Sequence, residues 1–332
     1  MRQEKKRLLI GSFLFGVAIT AVACSSAPAS PTEAPPGQEA QQEHEAAGSG
    51  GEQSKRYYES VRGKIELPDG PPRVVVANRD YVGDVLALDI EPVGVSSTMV
   101  FDTPYYKELL NGVEGIGEDG ASSLEKIISL EPNLIFTYQE DAYENLSKIA
   151  STILMPYGMY DYDERLLEIG KIMDRETEAR QRLELFDQKV EVKKQELSGK
   201  VSPDSKVAII EISDKDLYLF GKTYGRGGEI VYNQLGLSAP EMVEDATSEH
   251  GWASISLETL PDFLGEADYI LLGVREAGRQ RKTEIESSAL WTGLPAVQAG
   301  NVYEYNLQEF YFQDVIALEY QLDLLSDFFL AD

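Results

Sequence analysis

Eight short apolar segments, each bounded by turn residues, alternate with helical patterns along most of this chain. Four of them precede residue 160, and four follow residue 200. The segments are RVVVA (73–77), PVGVS (92–96), NLIFTY (133–138), STILM (151–155), KVAIIEI (206–212), DLYLF (216–220), DYILLGV (268–274) and NVYEY (301–305). Continuous apolar runs of this length are typical of strands that are buried on both faces. The sequence therefore predicts an α/β fold with largely parallel sheets.

The longest helical pattern separates the two groups of strands and runs from about Tyr162 to Leu197. Its apolar residues recur near the helical spacing of 3.6, and charged residues occupy the other face. One continuous helix of this length would measure about 50 Å, which is longer than a single lobe needs. We therefore predict an interlobe helix (161–198) between an N-terminal lobe (56–160) and a C-terminal lobe (199–332). A coiled-coil partner is the alternative use of such a helix.

The first 23 residues have the pattern of a secretory signal peptide, in which basic residues precede an apolar run from Leu8 to Val22. That run is shorter than the roughly 20 residues that cross a bilayer as a helix. Cys24 is the single cysteine of the chain and follows Ala-Val-Ala, a segment that resembles a bacterial lipobox. We expect Cys24 to carry a lipid that anchors the protein to the extracytoplasmic face of a cell membrane, of the Gram-positive type.

The segment after the cysteine has the composition of a disordered tether. From Ser25 to Lys55 there is no aromatic, Leu, Ile, Val or Met residue, so the segment has too little apolar surface to offset its ordering entropy. We therefore predict a tether over residues 24–55. The net charge of −27 opposes binding to nucleic acid or to bare anionic lipid. We expect a monomer that contacts the membrane through its lipid.

The sequence offers little that an enzyme would need. His44 and His250 are the only histidines, and neither a Gly-x-Ser-x-Gly nor a Walker motif occurs. A Gly-x-Gly-x-x-Gly is present at 115–120, but Glu118 and Asp119 would repel a pyrophosphate there. A site for bare zinc or manganese lacks imidazole ligands. We expect no catalysis and no intrinsic cofactor, with a secreted enzyme or an adhesive surface lipoprotein as less favoured alternatives.

The order of several motifs resembles the siderophore and cobalamin class of ABC-transporter substrate-binding lipoproteins. The motifs are RVVVANRDYVGDVLALDIEPVGVSS (73–97), LEKIISLEPNLIFTYQEDAYENLSKIA (124–150), LYLFGKTYGRGGEIVYNQLGL (217–237), WASISLETLPDF (252–263) and ADYILL (267–272). The Gly-Arg-Gly-Gly segment is most similar to that of iron-hydroxamate binders. The resemblance implies two Rossmann-like lobes joined by a rigid helix, a ligand in the cleft between them, and delivery of that ligand to a membrane permease.

Arg226 is the main candidate for ligand contact. Its guanidinium keeps its charge and presents five donors in a fixed fork, which suits the polarised oxygens of a ferric hydroxamate. A phosphate is disfavoured because Glu229-Ile230 replaces the Lys-Ser/Thr ending of a phosphate loop. Tyr218 is the predicted hydroxyl donor to the same oxygens. The predicted aromatic residues of the cleft are Tyr311, Trp252, Tyr138, Tyr224 and Phe101.

Charge favours a neutral or cationic ferric hydroxamate over a strongly anionic catecholate complex. Besides Arg226, the loops of the cleft offer only Arg79, Lys107 and Lys222 as basic helpers, against an acidic background. A catecholate or citrate iron chelate, cobalamin and haem are the alternative ligands. Because a siderophore fills the coordination shell of Fe(III), we expect no metal ligands from the protein.

The resemblance also implies contacts with the permease. In this class a glutamate on each lobe pairs with arginines of the permease dimer. The matching regions are QEDAYE after the 133–138 strand and VREAG after the 268–274 strand. We therefore predict docking through Glu140 and Glu276, with Glu144 as the alternative on the first lobe.

Overall fold

A computed structural model describes residues 55–331. The predicted signal peptide, Cys24 and the predicted tether up to Ser54 lie outside the described residues. Each of the eight predicted strands is present within two residues of its predicted limits, and the α/β class with two lobes is confirmed. None of the helices between residues 55 and 331 is both long and apolar enough to cross a bilayer.

The first lobe is built on a five-stranded sheet in which all paired strands are parallel. Its strands and hairpins are β1 (Tyr57–Ser60), β2 (Gly63–Glu66), β3 (Val74–Val76), β4 (Gly94–Val95), β5 (Glu114–Gly115), β6 (Gly117–Glu118), β7 (Ala121–Ser122), β8 (Leu134–Thr137) and β9 (Ser151–Leu154). Its helices are α1 (Val82–Leu86), α2 (Thr98–Asp102), α3 (Leu124–Ser129) and α4 (Glu140–Leu146). The sheet order is β5-β4-β3-β8-β9, while β1-β2 and β6-β7 are separate antiparallel hairpins.

Two helices, not one, follow the first lobe: α5 (Tyr162–Met173) and α6 (Glu176–Leu197). The prediction of a single continuous helix from Tyr162 to Leu197 is therefore wrong. Asp174 ends α5 in the left-handed conformation, with φ of 60°, and the Arg175 N–H donates to the Gly170 carbonyl. Aspartate is one of the few residues that tolerate this conformation. The turn therefore needs no glycine or proline, and the charge pattern and apolar spacing of the sequence continue across it. α6 alone spans about 33 Å at 1.5 Å per residue.

The second lobe is built on a mixed five-stranded sheet. Its strands are β10 (Val207–Ile212), β11 (Leu217–Phe220), β12 (Trp252–Ile255), β13 (Tyr269–Val274) and β14 (Val302–Tyr305), in the order β12-β11-β10-β13-β14. β10, β13 and β14 are parallel, whereas β11 is antiparallel to both of its neighbours. Its helices are a π-helix (Glu229–Gln234), α7 (Glu241–Thr247), α8 (Leu260–Leu264), α9 (Arg279–Glu286), α10 (Ala289–Thr292), α11 (Pro295–Ala299) and α12 (Val315–Leu330).

The segment before α12 joins the second lobe to the first. Asp314 caps α12 by accepting from the backbone N–H groups of Ile316 and Ala317, both at 3.1 Å, and it also accepts from the Tyr106 hydroxyl of the first lobe. Arg165 of α5 donates to the Gln313 carbonyl at 3.1 Å. These contacts are buried or part-buried, so they fix the relation between the lobes on one side of the cleft.

Candidate ligand-binding site

A cavity of about 1150 Å³ lies between the two lobes. Several of its lining residues follow strands directly: Arg79 after β3, Tyr138 after β8 and Arg275 after β13. The carboxyl ends of parallel strands are the usual place for ligands in α/β sheets. The cavity is slightly larger than the roughly 300–1,000 Å³ of common small-molecule pockets, so it can accept a bulky ligand.

Arg226 lies on the wall of this cavity, in a tight turn that the neighbouring glycines permit. Gly225, Arg226 and Gly227 all have positive φ, at 86°, 59° and 91°. A side chain on Gly228 would collide with the Gly221 carbonyl, so the turn packs directly against the end of β11. Only 9% of Arg226 is exposed, yet it lines the cavity. The glycines thus turn a buried arginine toward the space between the lobes.

Glu211 of β10 holds Arg226 from behind. The Arg226 Nε donates to the Glu211 carboxylate at 2.6 Å, and the Arg275 Nε donates to the other carboxylate oxygen. Glu211 is fully buried, and one carboxylate between two guanidiniums leaves a net positive charge. Burial lowers the pKa of Arg226, but the charge and the hydrogen bond of Glu211, together with smaller contributions from Tyr305 and Tyr311, raise that pKa above its ordinary value. Arg226 therefore stays charged.

The sequence analysis missed Glu211 and Arg275. Glu211 is the one acidic residue inside the apolar run KVAIIEI, and a charge in a buried strand requires a partner. The sequence therefore indicates that Glu211 has a buried basic partner, but it does not identify which residue that partner is. Arg275 lies inside VREAG, which we considered only as a docking segment.

Tyr311 stands between arginines of the two lobes. The guanidinium carbon of Arg79 lies 5.2 Å from the centre of the Tyr311 ring, and that of Arg226 lies 5.3 Å from it. Both distances suit a cation–π contact. Arg79 is also paired with Asp119 at 3.4 Å. Tyr311 therefore connects the first-lobe wall to the Arg226 turn.

Tyr138 and Tyr224 also line the cavity, as do Arg226 and Tyr311. The structure places the other three predicted contact residues elsewhere. The Tyr218 hydroxyl donates to Asp216 at 3.1 Å, and its ring packs against Trp252 with ring centres 5.7 Å apart. Because the ring of Tyr218 lies against the Arg275 guanidinium, Tyr218 supports a lining residue without lining the cavity itself. Phe101 is on α2, against Gly115.

Comparison with known proteins identifies the chain's family. Residues 74–308 match the family model described as periplasmic binding protein. This chain belongs to the periplasmic binding protein family. It is 39% identical over 274 residues to the iron(3+)-hydroxamate-binding protein FhuD of Bacillus subtilis (strain 168), covering 81% of this chain and 85% of that protein. It is 31% identical over 277 residues to the iron(3+)-hydroxamate-binding protein YxeB of the same organism, covering 82% and 84%.

A solved structure of this periplasmic binding protein family has the same fold. It is a FhuD-fold component of a Fep/Fec-like ferrichrome ABC transporter from Bacillus subtilis. Its TM-score is 0.74 at 37% sequence identity, and the match covers 82% of this chain and 99% of that one. The predicted resemblance to the siderophore-binding class is confirmed.

The remaining predicted residues of this binding protein lie at different distances from the cavity. Of the basic helpers, Arg79 lines it, whereas Lys222 is exposed and paired with Glu244 at 2.6 Å, and Lys107 is exposed outside the cavity wall. The other predicted residues, the docking glutamates, are all exposed: Glu140, Glu144 and Glu276. Glu140 pairs with Arg62, and Glu276 pairs with Arg279 at 2.7 Å. Their role in docking stays a prediction.

The side chains of the cavity are suited to donate hydrogen bonds and not to coordinate a metal ion. In the part of the chain that the structure describes, no group of three or more His, Cys, Asp or Glu residues is arranged to hold a metal ion. His250 is exposed beside Glu249. The cavity instead offers guanidinium and phenol groups, which can donate hydrogen bonds to the oxygens of a chelator.

Proposed function

We propose that this protein is the extracytoplasmic substrate-binding component of an ABC importer and captures a ferric hydroxamate siderophore in the cavity between its lobes. The observation that carries the proposal is Arg226, which lines the cavity while its Nε is held by the buried Glu211. The identity with two iron(3+)-hydroxamate-binding proteins supports it. The ligand is released unchanged to a permease, and no bond of the chelate is broken.

Recognition would act on the chelator and leave the iron untouched. Among residues 55–331, nothing accepts a hydrogen bond from the Nη groups of Arg226, so these donors can face the hydroxamate oxygens. Hydrogen bonds of this kind, with a charged donor, are stronger than neutral ones. Tyr138, Tyr224 and Tyr311 supply ring surface for the apolar parts of the chelator.

The charge of the cavity supports a hydroxamate over a catecholate. Each arginine that lines it is paired with a carboxylate: Arg79 with Asp119, Arg165 with Asp84, and both Arg226 and Arg275 with Glu211. Such a cavity has little free positive charge, whereas a ferric catecholate carries several negative charges that would need it.

A fluorescence titration tests the ligand. Trp252 lies 6.4 Å from the ring of Tyr224, which lines the cavity, so its emission should change when the cavity fills. We expect ferric hydroxamates to quench it with a Kd of about 1 μM or below, and ferric catecholates, ferric citrate, cobalamin and haem to bind at least about 100-fold more weakly. Tight binding of catecholates alone would contradict the proposal.

We also propose that the protein works at the outer face of the membrane, held by lipid on Cys24. A single cysteine that follows an apolar run and precedes a polar segment suits an anchored protein that reaches ligand outside the cell. Cys24→Ala is expected to move the protein from the membrane pellet to the soluble fraction on immunoblots, whereas Ser26→Ala should not. Retention of the Cys24→Ala protein in a salt-washed pellet would argue against the anchor.

A further inference from the structure

Asp80 places an unpartnered carboxylate on the wall of the cavity. It belongs to a short 3-10 helix (Arg79–Tyr81) that follows β3, and it is half-buried. Among residues 55–331, no group donates a hydrogen bond to its carboxylate or forms an ion pair with it. The other half-buried or buried acids of the wall differ. Glu211 has two arginines, and Glu229 accepts from Asn233 at 2.6 Å and from Gln234 at 2.9 Å.

None of the four arginines of the wall forms an ion pair with Asp80. Arg79 is the neighbour in sequence, yet its guanidinium pairs with Asp119 and lies against Tyr311. Arg165 donates to Asp84 at 2.7 Å, and the remaining two share Glu211. Among residues 55–331, the first-lobe wall therefore has one carboxylate that receives no hydrogen bond and forms no ion pair, although the charges of Arg79 and Arg165 are felt from a distance.

That carboxylate is ionised at neutral pH. Burial raises the pKa of Asp80 to about 6, and the charge of Arg79 acts in the opposite direction. At pH 7.5 the group is still mostly charged. A partly desolvated charge without hydrogen bonds is unfavourable, and a cation brought by the ligand would relieve it.

Tyrosine rings line the same cavity as Asp80. Tyr138 and Tyr157 line the cavity with ring centres 6.1 Å apart, and 63% of Tyr157 is exposed. Burial raises the pKa of Tyr157 and of Tyr311, and the nearby Asp80 charge raises it further. The faces of such rings attract cations. A carboxylate in the same cavity as tyrosine faces, one of them exposed, is the combination that recognises an organic ammonium group.

We propose that Asp80 is a specificity residue that selects ferric hydroxamates bearing a protonated amine. This inference rests on the proposed function, and it specifies which members of that ligand class the cavity prefers. The ammonium group would lie against Asp80 and the tyrosines of the first lobe. The hydroxamate oxygens would face Arg226 of the second lobe.

Two matched chelates test the proposal. One is a linear ferric trihydroxamate that ends in a primary amine, and the other is the same chelate with that amine acetylated. At pH 7.5 we expect the full-length protein to bind the amine form about tenfold more tightly, as expected for one charge-assisted hydrogen bond. Asp80→Asn should bind both forms within about twofold of each other. Asp161→Asn removes an equal charge from an exposed lining residue and should keep the preference.

The results separate this inference from the proposed function. Equal binding of the two chelates by the unaltered protein, or a preference that survives in Asp80→Asn, would overturn the role of Asp80 alone. If neither chelate binds, the proposed function fails with it. Asp80→Asn should also bind the acetylated chelate as well as the unaltered protein does. A large loss of affinity for the acetylated chelate would mean that Asp80 maintains the structure of the wall and does not recognise the ammonium group.

Discussion

Arg226→Ala is expected to weaken the binding of a ferric hydroxamate by about 10- to 100-fold. The estimate follows because a hydrogen bond from a charged donor contributes about 1.5–3 kcal/mol and 1.4 kcal/mol corresponds to a factor of ten. Arg226 lines the cavity with a retained charge, a side chain held by Glu211, and Nη groups that donate to nothing among residues 55–331. Fluorescence or calorimetric titration of the purified protein measures the change.

Two variants sharpen this measurement. Arg226→Lys keeps a positive charge but loses the planar fork, so we expect it to recover only part of the affinity. Lys222→Ala removes a basic residue of the same loop, whose side chain pairs with Glu244 and does not line the cavity. It should leave the affinity unchanged. An Arg226→Ala protein that is folded and binds as tightly as the unaltered one would refute the proposed site.

Glu211→Ala is expected to lower the free energy of unfolding by about 3–5 kcal/mol. Removing one member of a buried ion pair leaves its partner charged and uncompensated, which is more costly than losing an exposed pair. Arg275 is half exposed and can turn to water, but the Arg226 side chain is only 11% exposed. Urea unfolding of the ligand-free protein, followed by circular dichroism, gives the difference.

The control for this prediction is an exposed pair of the same lobe. Glu244→Ala breaks the contact with Lys222, and both side chains are about half exposed, so we expect a cost below about 1 kcal/mol. In a double variant with Arg226→Leu, the further loss of Glu211 should cost less than it does alone, because the stranded charge is gone. Equal costs for Glu211→Ala and Glu244→Ala would show that the buried cluster does not stabilise the lobe.

The strands and the family were predictable from the sequence because both depend on local pattern. An apolar run such as KVAIIEI can be satisfied only by burial on both faces, and its ends are marked by turn residues. The order of the motifs was enough to place the chain in its family. The single interlobe helix was wrongly predicted for the same reason, since Asp174 ends α5 without disturbing the apolar spacing of the sequence.

The residues that line the cavity were predictable only in part. Arg226 was evident among its glycines, because a charged residue in so flexible a turn needs a specific explanation. Tyr218 and Trp252 were expected in the cleft, but the Tyr218 hydroxyl on β11 donates to Asp216, and Trp252 on the neighbouring β12 packs against the Tyr218 ring. Strand alternation does not say which face of the second sheet meets the first lobe.

The chain's sequence is thus sufficient for the α/β lobes and the family, and it singles out Arg226, whose contact with a ligand stays a prediction. Folding alone brings Glu211 to Arg226 and to Arg275, 15 and 64 residues away along the chain, and it leaves Asp80 without a hydrogen bond or ion pair from residues 55–331. The physical reason is that the interaction energy of a charged group depends on its distance to other charges and on its exposure to water. Those distances are set by the packing of segments that are far apart in the sequence.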